Sequence, residues 1–175
     1  MSGRTSAANT DVSVPIGSVS AAAAILSSTG RPGRRSRLIF DDNARVAAWC
    51  EQQIEHFSGW GSDPRAIGYE LEGELAGAVV YTNYSGANVF ATIALTAPIT
   101  KRFLFSIFWC PFVQFGVNHI SCAIEASNLK SVNLCSRMGF LLEGRMREAA
   151  VGGEDVLIMG MLKRECPWLA IGPKR

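Results

Sequence analysis

The sequence is poor in metal-binding and membrane-spanning patterns. Its two histidines, His56 and His119, lie far apart, and no C-x-x-C pair or His/Cys spacing typical of a structural zinc site occurs. The apolar run at 19–26 is too short to cross a membrane. A secretory signal is also not expected, because Asp11 and Pro15 interrupt the N-terminal stretch. We therefore expect no structural zinc and no membrane partner.

The sequence also lacks a strong net charge. The formal charge is +2, from 17 basic and 15 acidic residues. Residues 1–37 carry five arginines against Asp11, a charge of +4, which leaves −2 for the remainder. The folded part is therefore not expected to bind polyanions. Nucleic acid would be bound only weakly, through the basic arm.

Cysteine is present in an odd number and without a disulfide pattern. The five cysteines are scattered in apolar segments, which favours reduced, buried thiols and a cytoplasmic location. The length of 175 residues and a hydrophobic content of 48% suffice for one domain with its own core.

The N-terminal stretch differs in composition from the rest. Residues 1–37 are rich in Ser, Ala, Gly and Thr and contain Pro15 and Pro32, a composition that does not pack alone. One interpretation is a flexible tail. The other is an arm that docks on a partner in a protein assembly, with its arginines on acidic or phosphate groups. We expect a domain over 38–166 and a C-terminal tail over 167–175.

Apolar periodicity predicts a mixed α+β domain. Strands are expected at 38–40, 66–71, 75–84 and 88–95, with a tight turn at Glu72-Gly73-Glu74. A helix capped by Asp41 or Asp42 should reach about residue 57. A second helix over 99–117 is apolar nearly all round, and Pro111 should kink it or end its first half near Cys110.

The stretch 119–149 gives the clearest pattern. A strand over 120–125 precedes Asn128, which can cap an amphipathic helix that ends at Gly139. A further strand follows from Phe140, and a turn at Gly152-Gly153 leads to a last strand over 156–162. The segment therefore predicts a strand, a capped helix that ends at a glycine, and a closing β-hairpin.

Fixed spacings within this stretch carry a family resemblance. The order Asn-x-x-Ser, Cys, Gly-Phe and Glu-Gly-x-x-Arg resembles the closing half of the GNAT N-acetyltransferase family; it is formed by Asn128, Ser131, Cys135, Gly139, Phe140, Glu143, Gly144 and Arg147. The resemblance extends over roughly 38–166, and 140–169 looks especially similar to GNAT-like proteins encoded by bacteriophages. It implies a mostly antiparallel sheet flanked by helices, with a V-shaped split between the fourth and fifth strands.

The resemblance also implies acetyl-CoA as cofactor, bound in that split. The pyrophosphate would lie at the start of the helix after the fourth strand, where 97–103 lacks the glycines usual in the family. The cap of Thr100 and the charges of Lys101 and Arg102 would take the place of these glycines. The pantetheine would pair with main-chain groups of the fourth strand. The cofactor-binding residues implied are Ile93, Leu95, Thr100, Lys101, Arg102, Asn128 and Ser131.

The catalytic groups implied are Glu125 and Cys135. Glu125 ends the fifth strand beside the cleft and is the best candidate for the base that takes a proton from the attacking amine. Cys135 stands where many relatives of the family carry a tyrosine that protonates the departing thiolate. A cysteine there is either that acid or a small core residue. The predicted activity is transfer of an acetyl group to an amine of unknown acceptor. The alternative is a catalytically inactive GNAT-fold structural protein of a large assembly such as a phage virion, docked through residues 1–37.

Overall fold

A seven-stranded sheet with helices on both faces forms the body of the molecule. The computed structural model describes residues 18–19 and 35–172. The strands are β1 Ser36–Ile39, β2 Arg65–Leu71, β3 Glu74–Thr82, β4 Asn88–Leu95, β5 His119–Glu125, β6 Leu141–Met146 and β7 Val156–Leu162; the helices are α1 Asn43–Glu51, α2 Lys101–Trp109 and α3 Leu129–Met138. The spatial order is β1-β2-β3-β4-β5-β7-β6, and only β4 and β5 are parallel. The mixed, mostly antiparallel α+β fold is confirmed.

Helix α1 begins as predicted and ends early. The Asp42 side chain accepts a hydrogen bond from the amide of Arg45 at 3.2 Å. The predicted end near residue 57 is wrong, because α1 stops at Glu51 and the two-residue strand Ile54–Glu55 follows. His56 has a φ of +57°, which a right-handed helix does not accommodate.

Helix α3 has the two predicted ends. The side chain of Asn128 accepts from the amide of Ser131 at 3.1 Å, which caps the first turn. Gly139 adopts a φ of +98°, and the amide of Phe140 donates to the carbonyl of Cys135 at 3.0 Å. The buried residues on its inner face include Leu134, Cys135 and Met138.

Helix α2 is shorter than the predicted 99–117. Thr100 caps it by accepting from the amide of Phe103 at 3.2 Å. The α-helix ends at Trp109 and continues as a π-helical turn, Cys110–Gln114, with Pro111 near its start. This location of the break confirms the effect expected of Pro111, whose ring removes a backbone donor.

The core lies on both faces of the sheet. The larger cluster packs α2 and α3 against one face, and the smaller packs α1 and Ile54 against the other. The C-terminal 3₁₀ turn Pro167–Ile171 joins the larger side, where the ring of Trp168 stacks on Phe108 at 6.4 Å and its Nε1 donates to the carbonyl of Met138 at 2.6 Å.

The prediction of reduced, buried thiols is confirmed for four of the five cysteines. Cys50, Cys110, Cys122 and Cys135 are buried free thiols, and Cys166 is a half-buried one. Burial raises the pKa of Cys50 to about 12 and that of Cys110 to about 11. Both therefore remain protonated at neutral pH.

Most of the predicted arm, and the last three residues of the tail, lie outside the described residues. Ser36 and Arg37 belong to β1, where they pair with Leu71 and Glu70, so β1 begins earlier than the predicted residue 38. Farther toward the N-terminus, Ser18–Val19 pairs antiparallel with Ile54–Glu55. Within the described ranges, no helix has both the length and the apolar character that crossing a bilayer requires.

Candidate active site

Strands β4 and β5 are joined along only part of their length. Three residue pairs link them, from Asn88 with His119 to Phe90 with Ser121. Beyond these pairs β4 stays paired with β3 as far as Leu95, while β5 stays paired with β7 as far as Glu125. The facing edges of the two strands therefore part toward their C-terminal ends.

The resulting split is narrow. It encloses a cavity of about 10 Å³, close to the space of one water molecule. The lining residues come from β4, β5 and α3: Ala91, Thr92, Ile93, Cys122, Ala123, Ile124, Ser131, Leu134 and Cys135. Helix α3 thus closes the split from one face of the sheet.

The N-terminal strand Ser18–Val19 lies near both β4 and β5. Its Cα atoms come within 8 Å of Cα atoms in both β4 and β5. Its partner strand contains Ile54, which packs with α1. The pairing of Ser18–Val19 with this strand therefore ties its backbone to the α1 side of the sheet.

The start of α2 follows directly on the C-terminal end of β4. Lys101 and Arg102 are exposed, and no acidic residue stands in the first turn of the helix. The cap uses the hydroxyl of Thr100, and the positive end of the helix dipole adds to the two charges. An anion would be stabilised at this position.

The two predicted residues on β4 are buried. Ile93 is 5% exposed and lines the cavity, whereas Leu95 is 3% exposed. A Cβ atom added to Gly77 would lie 2.9 Å from Cδ2 of Leu95 and 3.2 Å from the ring of Phe103, so the Leu95 side chain points into the core. Leu95 can offer a ligand its backbone groups and not its side chain.

The predicted residues at the far side of the split lie together around the start of α3. Asn128 caps this helix, Ser131 is 1% exposed and lines the cavity, and Glu125 is half-buried at the end of β5. The amide of Asn128 donates to the carbonyl of Glu125 at 3.0 Å, which ties the end of β5 to the cap.

Cys135 faces a second thiol that the sequence interpretation did not single out. A hydrogen bond with Cys135, together with burial, raises the pKa of Cys122 well above its ordinary value. Both residues line the cavity, one on α3 and the other on β5. The signal was the alternation along β5, which directs Cys122 and Ile124 toward the same side of the sheet.

A polar network around His119 lies at the closed end of the split, where β4 and β5 are still paired. Its Nδ1 lies 2.8 Å from Oδ1 of Asn88, and its Nε2 lies 2.9 Å from Oε1 of Glu143. The hydroxyl of Ser121 donates to Oδ1 of Asn88 at 3.1 Å. Because Glu143 is on β6, its side chain must cross β7 at Gly160 to reach His119.

Replacing Gly160 by alanine should break the hydrogen bond between His119 and Glu143. A Cβ atom at 160 would overlap the carboxyl group of Glu143, so the flexible carboxylate has to swing away from His119. We expect the free energy of unfolding to fall by about 1 kcal/mol, measured by urea denaturation. In a Glu143→Ala background the same substitution should cost less than half as much. Equal costs in both backgrounds would contradict the crossing of β7.

Comparison with known proteins identifies the fold. No protein-family model matches the sequence, and no curated protein matches it. Among solved structures, a mutant of the spermidine N-acetyltransferase SpeG from Vibrio cholerae superimposes with a TM-score of 0.60 at 18% identity, over 78% of this chain and 96% of that one. This chain has the GNAT acetyltransferase fold.

Two further structures agree with that likeness. The dodecameric form of the Vibrio cholerae spermidine N-acetyltransferase gives a TM-score of 0.56 at 19% identity, over 74% of this chain and 94% of that one. A chimera of Vibrio cholerae SpeG and hSSAT gives 0.53 at 21% identity, over 62% and 70%. At these identities the likeness concerns the GNAT fold, and similarity to bacteriophage-encoded members stays a prediction.

Proposed function

We propose that this chain is an acetyl-CoA-dependent N-acetyltransferase that transfers an acetyl group to an amine in the cytoplasm. One observation carries the proposal: in a GNAT fold, β4 and β5 part after three residue pairs, and the positively charged start of α2 stands at the open end. The amine acceptor is left open. The spermidine activity belongs to the similar structures and not to this chain.

The cofactor would be held by charge and by backbone. Thr100, Lys101 and Arg102 would bind the pyrophosphate, with the two cationic side chains in place of the close backbone approach that glycine allows. Among the described residues, β4 has no β5 partner around Ile93 and Leu95, and its backbone there would hydrogen-bond the amides of the pantetheine. Asn128 and Ser131 would face it from the start of α3.

Binding would require the split to widen. A cavity of about 10 Å³ does not admit a pantetheine chain, and Ile93, Ile124 and Leu134 occupy the space. Only three residue pairs join β4 to β5, so the two strands can separate without breaking the pairing of either with its other neighbour. Acetyl-CoA would then select the open arrangement through its contacts there.

Two groups would move protons. Acetyl-CoA supplies the acetyl group. Glu125 would take a proton from the amine, because it is half-buried at the end of β5 beside the split. Cys135 would give its thiol proton to the departing thiolate, and Cys122 would orient it through the hydrogen bond between the two thiols.

Charge reversal at the start of α2 tests the cofactor site. Lys101→Glu should weaken acetyl-CoA binding by at least about tenfold, because it replaces an attractive charge by a repulsive one at the pyrophosphate. Isothermal titration calorimetry at constant ionic strength measures the change. Lys163→Glu is the matched control, since that exposed residue follows β7 at the closed end of the split. Equal weakening by both variants would contradict the assignment.

A second candidate function is favoured by the narrow split and by the missing glycines of the loop before α2. In that case the GNAT fold serves as an inactive structural module of an assembly such as a phage virion, docked through residues 1–37. The absence of any heat from the unmodified chain at millimolar acetyl-CoA would exclude the enzyme and leave this candidate. Protection of residues 20–34 from protease only within an assembly would support it.

A further inference from the structure

A groove of about 1100 Å³ lies between α2 and the first two strands, and it shares no lining residue with the narrow cavity at the split. Leu38 on β1 and Ile67 on β2 contribute to its lining, and its long wall comes from α2 and the π-helical turn that follows. The C-terminal 3₁₀ turn borders it through Leu169 and Ala170. A concave surface of this size can hold a small organic ligand.

Large apolar side chains are exposed in this groove. Phe40 is 55% exposed, Val113 48% and Trp109 40%, and all three belong to the lining. Exposed apolar residues that stand alone are normal, whereas several on one concave surface mark a binding site. Val113 also belongs to the π-helical turn Cys110–Gln114, and such turns occur frequently at functional sites. The groove therefore offers an apolar surface that a bound molecule would cover.

Two polar side chains of the lining already have partners inside the protein. Oδ1 of Asn43 accepts from the amide of Ala66 at 2.8 Å, and the hydroxyl of Ser106 donates to the carbonyl of Arg102 at 2.9 Å. Both hydrogen bonds hold the walls of the groove together. Since most of the other lining residues are apolar, little polar surface is left for a ligand such as a sugar. The groove suits a hydrocarbon chain better.

Arg102 supplies the available charge of the groove. Its side chain is exposed and lines the groove, and within the described ranges it forms no ion pair, whereas Nη2 of Arg65 lies 3.1 Å from Oδ2 of Asp63. None of the described residues that line the groove is acidic. Arg102 and Val113 are about 15 Å apart along the helix axis, at the rise of an α-helix. A cation at one end of an extended apolar surface complements an anion with an apolar tail.

We propose that this groove binds a linear carboxylate of the medium-chain fatty-acid class. Its carboxylate would lie against the guanidinium of Arg102, which can donate two parallel N–H bonds to it. Its hydrocarbon chain would lie along α2 and cover Trp109, Val113 and Phe40. An anion without a tail would gain little from one exposed arginine. The site does not depend on acetyl transfer, although a bound carboxylate would compete for Arg102 with the proposed pyrophosphate.

Calorimetric titration of the full chain with laurate, kept below the concentration at which it forms micelles, tests the proposal. One saturable binding event per chain is expected. Hexanoate has the same head with a shorter tail, and dodecyltrimethylammonium has a long tail with a cationic head. Each should bind at least about tenfold more weakly than laurate. The proposal is overturned by a lack of saturable heat with laurate, and also by equal binding of dodecyltrimethylammonium, since the groove would then bind any amphiphile.

Two matched pairs of variants locate the site. Arg102→Gln should weaken laurate binding about tenfold, whereas Lys101→Gln removes a neighbouring charge outside the groove and should change it less than about twofold. Val113→Asp should weaken binding at least about tenfold, because it places a carboxylate beside the hydrocarbon chain. Leu142→Asp, at another exposed apolar position on β6, should leave binding unchanged. Equal effects within either pair would refute the site.

A second copy of the chain is the alternative occupant of an apolar groove. Sedimentation velocity without laurate distinguishes the two occupants. We expect Val113→Asp to leave the sedimentation coefficient unchanged. If the unmodified chain associates, and Val113→Asp but not Leu142→Asp abolishes that association, a second copy covers the groove and the fatty-acid proposal is wrong.

Discussion

Replacing Phe108 by alanine is expected to lower the free energy of unfolding by about 3–5 kcal/mol. Phe108 is 1% exposed and belongs to the larger core cluster. Its ring lies 6.0 Å from that of Phe140 and stacks at 6.4 Å on that of Trp168. One side chain therefore links α2, the start of β6 and the C-terminal turn, and the cavity left behind cannot be filled by a local shift alone.

Urea denaturation followed by circular dichroism measures this loss. Phe40→Ala is the matched control, because the same atoms are removed at a position that is 55% exposed. It should cost less than about 1 kcal/mol. A cost below about 1.5 kcal/mol for Phe108→Ala would show that the C-terminal turn and α2 are not packed together in solution.

The parts of the fold that sequence predicted well are those fixed by local chemistry. Asn128 starts α3 with a side-chain cap, and Gly139 ends it in the left-handed conformation. Both effects act within a few residues of the helix ends, so the local sequence reveals them. Thr100 and Asp42 start their helices for the same reason. The change from alternating to helical periodicity located the strands around them.

The parts that sequence did not predict depend on distant partners. Helix α1 stops at Glu51 because Ile54 joins the core and pairs with Val19, far away in the chain. His119 binds Glu143 only because Gly160, on the strand between them, leaves room for a carboxylate. Neither contact has a local signature, since each depends on strand order.

The same limit applies to the candidate active site. The family resemblance predicted a split between β4 and β5, and these strands pair over only three residues. Its width depends on how Ile93, Ile124 and Leu134 pack across it, and this packing reduces the space to about 10 Å³. Side-chain packing of this kind is a property of three elements together, so no motif on one of them encodes it.

The break in α2 leads to the second large prediction, a loss of about 1–3 kcal/mol of unfolding free energy for Tyr81→Phe. In an α-helix the carbonyl of Ile107 would accept from the amide of residue 111, and Pro111 has no N–H. The hydroxyl of Tyr81 donates to that carbonyl instead, at 2.6 Å. Burial raises the pKa of Tyr81 well above its ordinary value, so the hydroxyl remains a donor. Phenylalanine would remove this buried hydrogen bond.

A double-mutant cycle with Pro111→Ala isolates this interaction. Alanine at 111 restores an N–H that can donate to the carbonyl of Ile107, so Tyr81→Phe should cost less than half as much in the Pro111→Ala background. Urea unfolding of the four proteins gives the coupling energy, and Tyr84→Phe is the control, because that exposed hydroxyl donates to Phe115 in a separate contact. Equal costs of Tyr81→Phe in both backgrounds would mean that the tyrosine does not substitute for the missing amide, and that the π-helical turn after Trp109 has another cause.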